Sequence, residues 1–182
     1  GPLEDVPHFF YLSELLGNTD APAAPPARLA VYNVAEAWIF SFLPALWKDP
    51  RRVARPVLLG LWAVLGINLT NAFLAPYLFF TAAFGDPDTE PRNKNSVVGF
   101  SMGGIAASVA LYALFASFTQ TTLSDWSAFL QSCQEDRTYF AFVVDLVLFS
   151  FFQPYILKRA NGENQPIDFV PFIGMISWLF KN

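Results

Sequence analysis

Two acidic residues stand inside strongly apolar stretches, and they are the first candidates for chemistry in this chain. Asp145 lies in the run FVVDLVLF, and Glu36 lies in NVAEAW. A carboxylate in an apolar medium is costly, so each acid must face protein, water or a ligand. For Asp145 two interpretations stay open. It is a ligand, proton-linked group or partner contact, or it is a hydrogen-bonded acid close to the surface.

Amide side chains accompany these acids. Asn33 lies three residues before Glu36 on the same helical face, and Asn68 and Asn71 lie in GINLTNAF. Glu36 has the chemistry to bind a magnesium ion, including the central magnesium of a chlorophyll, through one oxygen. The alternative is a hydrogen bond from Asn68 or Asn71 across a helix pair. The two asparagines are read either as interhelical hydrogen-bonding groups or as ligands.

Two further side chains are candidate ligands. The sequence contains no arrangement of residues that indicates an enzyme. Gln153 precedes Pro154, so it either donates to a backbone carbonyl or offers a ligand oxygen. His8 is the sole histidine, read as an axial pigment ligand or as a solvent-facing residue. The single Cys133 excludes an internal disulfide, and no nucleophile stands beside a base. The sequence therefore predicts a protein that is not an enzyme and has no dedicated metal site.

The composition places these residues in a membrane protein. Of the 182 residues 54% are hydrophobic and 17% aromatic, whereas only 14% are charged. Soluble domains carry about a quarter charged residues, so too few are present here to cover a water-facing surface. The net charge of −4, without a dense basic patch, argues against nucleic acid as a partner. The predicted surroundings are membrane lipids and other membrane protein subunits.

The apolar runs predict an all-α integral membrane fold with about four transmembrane helices. A bilayer core needs about 20 apolar residues in a helix. An amino-terminal amphipathic segment and Pro-rich linker occupy residues 1–27, and the helical membrane domain occupies 28–182. The predicted spans are Leu29–Trp47, Pro56–Phe84, Val97–Phe118 and Tyr139–Leu157.

Several local features refine this prediction. The second span is long and contains Pro76, so it is expected to be tilted or kinked. In the third span Gly99, Gly103 and Ala107 form a stripe of small residues. Such a stripe suits close packing against the second or fourth span, or docking of a neighbouring protein or flat pigment.

The connections and ends are predicted to lie at the membrane surface. Thr122 and Asp125 form a capping pattern that opens a surface helix running to about Cys133. The final segment, DFVPFIGMISWLFKN, is too short to cross and is predicted to be half-inserted. Four spans divide the basic residues five against six between the two sides, so the orientation signal is weak.

The segment LQSCQEDRTYFAFVVDLVLFSFFQPYIL, preceded by LAPYLFF, resembles a family of small uncharacterised membrane proteins of cyanobacteria and chloroplasts. The resemblance covers about half of the chain and implies a thylakoid location. The chain does not fit the light-harvesting chlorophyll proteins, because Glu36 is followed by Ala37, Trp38 and Ile39 instead of their paired motif.

Three functions are compatible with these observations. The first is a non-catalytic accessory subunit of a photosynthetic membrane complex, of the photosystem and antenna type, that binds chlorophyll and carotenoid at its edges. The second is a small carrier or channel with a path of intramembrane acids and amides, formed by Glu36, Asn68, Asn71 and Asp145. The third is a thylakoid assembly factor.

Overall fold

The computed structural model describes residues 26–66, 69–85, 97–119 and 121–181, and these are arranged in helices without any strand. The all-α prediction is therefore confirmed. The long helices are α1 (Pro26–Lys48), α4 (Val97–Thr119) and α6 (Arg137–Asn161). The shorter helices are α2 (Arg55–Leu61), continued by a π-helical turn (Trp62–Gly66), α3 (Asn71–Phe84), α5 (Leu123–Glu135) and α7 (Ile173–Lys181).

Helix α1 is the central element of the bundle. Ala37, Ile39, Phe42 and Ala45 are completely buried, and the helix packs against α4, α6, α5 and α7. The aromatic side chains of α1 contact those of α6 in the same order along both helices. The ring of Tyr32 lies 5.7 Å from that of Phe142, and Trp38 lies 5.8 Å from Phe149. The two helices are therefore parallel.

A buried ion pair closes one end of this parallel pair. The Arg159 guanidinium lies 2.6 Å from the Asp49 carboxylate, and it also donates to the Thr81 hydroxyl at 3.0 Å. Burial raises the pKa of Asp49, and the charge of Arg159 opposes that shift. We call this the basic end, because it carries seven of the nine Lys and Arg residues in the described ranges. They are Lys48, Arg51, Arg52, Arg55, Lys158, Arg159 and Lys181.

The region predicted as the second span is not one kinked helix. Its backbone breaks before α3, at Thr70, where φ is 44°, whereas Pro76 lies inside α3. The two halves run antiparallel. The rings of Trp62 and Phe73 are 5.9 Å apart, and Gly85 returns to the backbone of Arg51. Residues 55–84 therefore form a helical hairpin that starts and finishes at the basic end.

The lengths of the hairpin arms agree with this path. At 1.5 Å per residue, Arg55–Gly66 is about 18 Å long and Asn71–Phe84 about 21 Å, whereas a hydrocarbon core is about 30 Å thick. Helices of such lengths suit a segment that enters a bilayer and returns. Sequence reasoning missed the hairpin because 30 apolar residues also suit one tilted span.

The carboxyl-terminal segment follows a second returning path, by the turn Pro166–Phe169 and then α7. Phe172, at a φ of 61°, changes the direction of the chain, and its ring lies 5.5 Å from that of Trp38. The Trp178 indole then donates to the Asn161 side chain at 3.0 Å, back at the basic end. The segment is packed into the bundle, with Met175 completely buried. A short segment that does not cross the bundle agrees with the prediction.

The remaining long helix has a different neighbour from the one predicted. Helix α4 packs mainly on α1, with Ala106 and Ala110 buried, and the position of Gly103 faces Leu179 of α7. Packing of the small-residue stripe within the chain is confirmed, but the partners are α1 and α7 instead of the second or fourth predicted span. The side-chain surroundings of Gly99 lie outside the described part.

Helix α5 packs against the starts of α1 and α6, at the opposite end of the bundle, and its location at a membrane surface stays a prediction. The capping box is present, with the Asp125 amide donating to the Thr122 hydroxyl at 3.3 Å and the Thr122 amide donating to Asp125 at 2.8 Å. Phe129 is buried against Ala27 and Phe142. Helix α5 therefore fixes the starts of α1 and α6 relative to each other.

Gly85 provides a test of the hairpin. A Cβ at this position would meet the Thr81 carbonyl oxygen and lie 2.7 Å from the Cβ of Arg51. We expect Gly85→Ala to lower the free energy of unfolding by about 1 to 3 kcal/mol, as overpacking does. Gly60→Ala is the control, because nothing lies within 4 Å of its Cβ. It should be neutral or slightly stabilising. Denaturation of the purified protein in detergent measures both, and equal effects would contradict the closed hairpin.

Candidate functional site

The hairpin tip reaches Asp145 on α6. The Asn71 amide donates to one carboxylate oxygen of Asp145 at 2.6 Å and to the Asp145 backbone carbonyl at 3.2 Å. The Thr70 hydroxyl donates to the other carboxylate oxygen at 2.8 Å. Asp145 thus holds the strained turn and the first residue of α3. Its predicted hydrogen bonding is confirmed, although the partners come from the hairpin.

Glu36 lies beside this group on the central helix. Its carboxyl is half-buried and close enough to Asp145 and Tyr32 to interact with both electrostatically. Within the described ranges neither Glu36 nor Asp145 forms a salt bridge. We call Glu36, Thr70, Asn71 and Asp145 the polar cluster. It brings together three of the residues singled out from sequence, with Thr70 as an addition.

The polar cluster lies away from the ends of the helices that form it. Glu36 is the eleventh of the 23 residues of α1, and the turn at Thr70 lies halfway through residues 55–84. Asp145 is eight residues into α6. Two acids without a cation between them therefore lie well inside the bundle. Like charges in such surroundings repel each other, so a proton or a bound cation lowers the energy of the pair.

One atom of the cluster has an unused hydrogen-bonding capacity. Asn71 is only 6% exposed, and its side-chain oxygen is buried without a hydrogen-bond donor among the described residues. A buried acceptor that lacks a donor costs about 1 to 3 kcal/mol. An amide oxygen accepts from protonated groups or coordinates cations. A protonated group or a cation would therefore satisfy the Asn71 oxygen, and the two acids attract the same groups.

Gln153 has a structural role. Its side-chain nitrogen donates to the backbone carbonyls of Asp168 and Val170 at 2.8 and 2.9 Å, and its oxygen accepts from the Phe172 amide at 3.0 Å. The predicted bonding to backbone is confirmed, but the carbonyls belong to the carboxyl-terminal segment. Because Gln153 is 1% exposed and its amide binds three backbone groups, the structure favours the backbone role over the ligand role.

The other three candidates do not join the cluster in the described structure. Asn33 is half-buried on α1 and, among the described residues, forms no hydrogen bond with the cluster. Asn68 and His8 lie outside the described residues. The described part of the chain also contains no group of three or more His, Cys, Asp and Glu side chains that together would hold a metal.

No family model, curated protein or solved structure matches this chain. The resemblance to small thylakoid membrane proteins therefore stays a prediction.

A double-mutant cycle tests the attachment of the hairpin tip. Asn71→Ala and Asp145→Ala each leave a buried partner without its bond, so we expect a coupling free energy of about 1 to 3 kcal/mol in the free energy of unfolding. The control pairs Asn71→Ala with Glu163→Ala, since Glu163 is exposed. That pair should be additive. Additivity of the Asn71 and Asp145 changes would contradict the contact.

Proposed function

We propose that the protein is an integral membrane protein in which α1, α4 and α6 cross the bilayer. The hairpin and the carboxyl-terminal segment then enter from the basic end and return to it. This replaces four spans with three spans and two re-entrant segments. Backbone that is not helical at membrane depth is tolerated where protein surrounds it, and side chains of α6 bind both turns.

The exposed surface supports this location. By length and apolar composition one described helix, residues 139–161, qualifies as a membrane span, and only 28% of its most apolar window is buried in the protein. The core helix of a soluble protein would be mostly buried. Shorter apolar helices cover 55–66, 71–84 and 103–112. Large apolar side chains are also exposed on several helices, among them Phe79, Phe84, Phe115, Phe151 and Phe180.

The returning segments strengthen the weak orientation signal. Within the described ranges seven Lys and Arg residues lie at the basic end, whereas only Arg28 and Arg137 lie at the other. For these nine residues, four spans would give a division of five against four, whereas three spans with two returning segments give seven against two. By the positive-inside rule the basic end faces the cytoplasm or, in a thylakoid, the stroma.

The function that the geometry supports best is that of a small carrier or channel for protons or a monovalent cation. The observation that carries this proposal is the polar cluster at the broken helix. Among the described residues its two acids have no countercharge and the buried Asn71 oxygen has no hydrogen-bond donor. Discontinuous helices at mid-membrane depth are a common way to build ion sites in transporters. Glu36 is the proposed ion-binding carboxylate, and Asp145 holds the hairpin while contributing charge.

Ion flux through proteoliposomes tests this proposal. Vesicles that contain the protein should carry protons or Na⁺ above the rate of empty vesicles, measured with a trapped pH dye and with radioactive sodium. Glu36→Gln should remove the excess flux because it removes the proposed ligand charge. Glu163→Gln is the matched control and should keep the flux. If neither ion moves faster than in empty vesicles, the carrier function is wrong.

A second candidate is an accessory subunit of a photosynthetic complex, and the exposed aromatic side chains favour it. Chlorophyll and carotenoid are flat or extended apolar molecules that pack on such surfaces. Glu36 and Asn33 are half-buried and form no side-chain hydrogen bond among the described residues, so the oxygen of either one fits a chlorophyll magnesium. A bound chlorophyll would supply light absorption. The chain itself would provide only the ligand and the apolar surface.

The absorption spectrum of protein purified from its native membrane tests this candidate. Chlorophyll bands that co-purify in a fixed ratio to the chain, and that decrease in Glu36→Gln but not in Glu163→Gln, would support pigment binding. A colourless preparation would contradict it. Together with the flux measurement, this distinguishes an ion ligand from a pigment ligand at the same residue.

A further inference from the structure

A pocket of about 410 Å³ lies at the basic end, where the hairpin closes. Its walls are residues 50–54, which connect α1 to α2, and the last turns of α3. Arg51 and Arg52 line one side, and Phe80, Thr81 and Phe84 line the other. This volume lies within the range of about 300 to 1,000 Å³ that small-ligand sites occupy.

The charge of the pocket is positive. Arg51 and Arg52 are half-buried, and the neighbouring acid, Asp49, is already paired with Arg159 at 2.6 Å. The Arg51 backbone amide donates to the Asp49 carboxylate at 2.9 Å, and the Arg52 guanidinium donates to the Asp49 backbone carbonyl at 3.2 Å. The Asp49 carboxylate is therefore paired with the guanidinium of Arg159, and neither the Arg51 nor the Arg52 guanidinium forms an ion pair with it.

The guanidinium group of Arg52 is only partly hydrogen-bonded among the described residues. Its Nε is buried and has no acceptor among the described residues. Guanidinium groups bind phosphate with two parallel hydrogen bonds, which is a stronger and more specific contact than a lysine makes. A phosphate oxygen is therefore the acceptor whose chemistry suits this wall of the pocket.

The opposite wall continues into an apolar surface. The rings of Phe80 and Phe84 are 5.1 Å apart, and their side chains are 53% and 74% exposed. Phe79, on the same helix, is 75% exposed. A free anion would make no apolar contact with these rings. A phospholipid would, because its acyl chain lies directly below its head group. Both halves of the pocket therefore complement one molecule.

We propose that this pocket binds the phosphate head group of an anionic phospholipid, with an acyl chain along Phe80 and Phe84. The proposal rests on the membrane location proposed above. Such a lipid would neutralise the guanidinium surplus where the hairpin closes. It would thereby stabilise the two ends of the hairpin against each other.

Lipid binding to the detergent-purified protein tests the proposal. Phosphatidylglycerol should raise the thermal stability and remain bound in native mass spectrometry, whereas phosphatidylcholine and inorganic phosphate should do neither at the same concentration. Arg51→Gln with Arg52→Gln should weaken phosphatidylglycerol binding about tenfold or more, because both bidentate donors are lost. Lys158→Gln is the control. It removes an exposed charge at the same end and should leave binding unchanged.

The double variant Arg51→Lys with Arg52→Lys keeps the positive charge. It tests the lipid site if the Gln variant does not fold. It should still lose affinity, because an ammonium group lacks the bidentate geometry. Equal binding of phosphatidylglycerol and phosphatidylcholine would overturn the proposal, as would equal binding of phosphate alone. Flotation with vesicles of either lipid distinguishes failure of the proposed membrane location from failure of the proposed lipid site. Protein that does not float contradicts the membrane location, and protein that floats without this preference contradicts only the lipid site.

Discussion

The bonds from Thr70 and Asn71 to Asp145 hold the hairpin tip deep in the bundle, and the arrangement of the other segments depends on that contact. A chain that turns back inside a low-dielectric bundle exposes backbone groups that would cost several kcal/mol each if left unsatisfied. Thr70 adds strain, because a β-branched residue at a φ of 44° is a rare conformation. The Thr70 amide is satisfied by the Gly66 carbonyl, and the Asp145 carboxylate accepts from the side chains of Thr70 and Asn71, which offsets the strain of the turn. The acid in the apolar run of α6 is therefore explained first by the fold.

Helix α6 has two further polar side chains that bind other segments in the way Asp145 does. Asp145 binds the hairpin tip, Gln153 binds the turn of the carboxyl-terminal segment, and Arg159 binds both the end of α1 and the returning arm of the hairpin. Each of these three side chains thus binds a segment that does not run the length of the bundle, and Arg159 also binds the end of α1. The bonds of Asp145 and Arg159 are charge-assisted, and such bonds are about twice as strong as neutral ones like those of Gln153.

Sequence reasoning located the long helices because apolar length is a direct signal of them. It also predicted α5 from its capping pattern, and the bonding of Gln153 to backbone. It missed the hairpin, since a hydropathy pattern does not distinguish two short antiparallel helices from one long tilted helix. A local signal was available. Gly66, Asn68, Thr70 and Asn71 all lie within six residues, and these residue types favour turns over helix interiors. The unpaired oxygen of Asn71 had no sequence signal, because it depends on which neighbour each amide group meets.

Glu36 differs from the anchoring residues in a way that bears on function. Asp145, Gln153 and Arg159 each bind a particular segment, so the fold alone accounts for their presence. Glu36 lies on the most buried helix and, in the described structure, forms no bond that would offset its desolvation. A Gln or Met would fill the same space without the charge. This difference is why we propose a ligand for the acid at this position, whether a proton, a cation or a pigment magnesium. The nearby charge of Asp145 strengthens the attraction for any of these, so the anchor of the hairpin also sets the electrostatic field of the site.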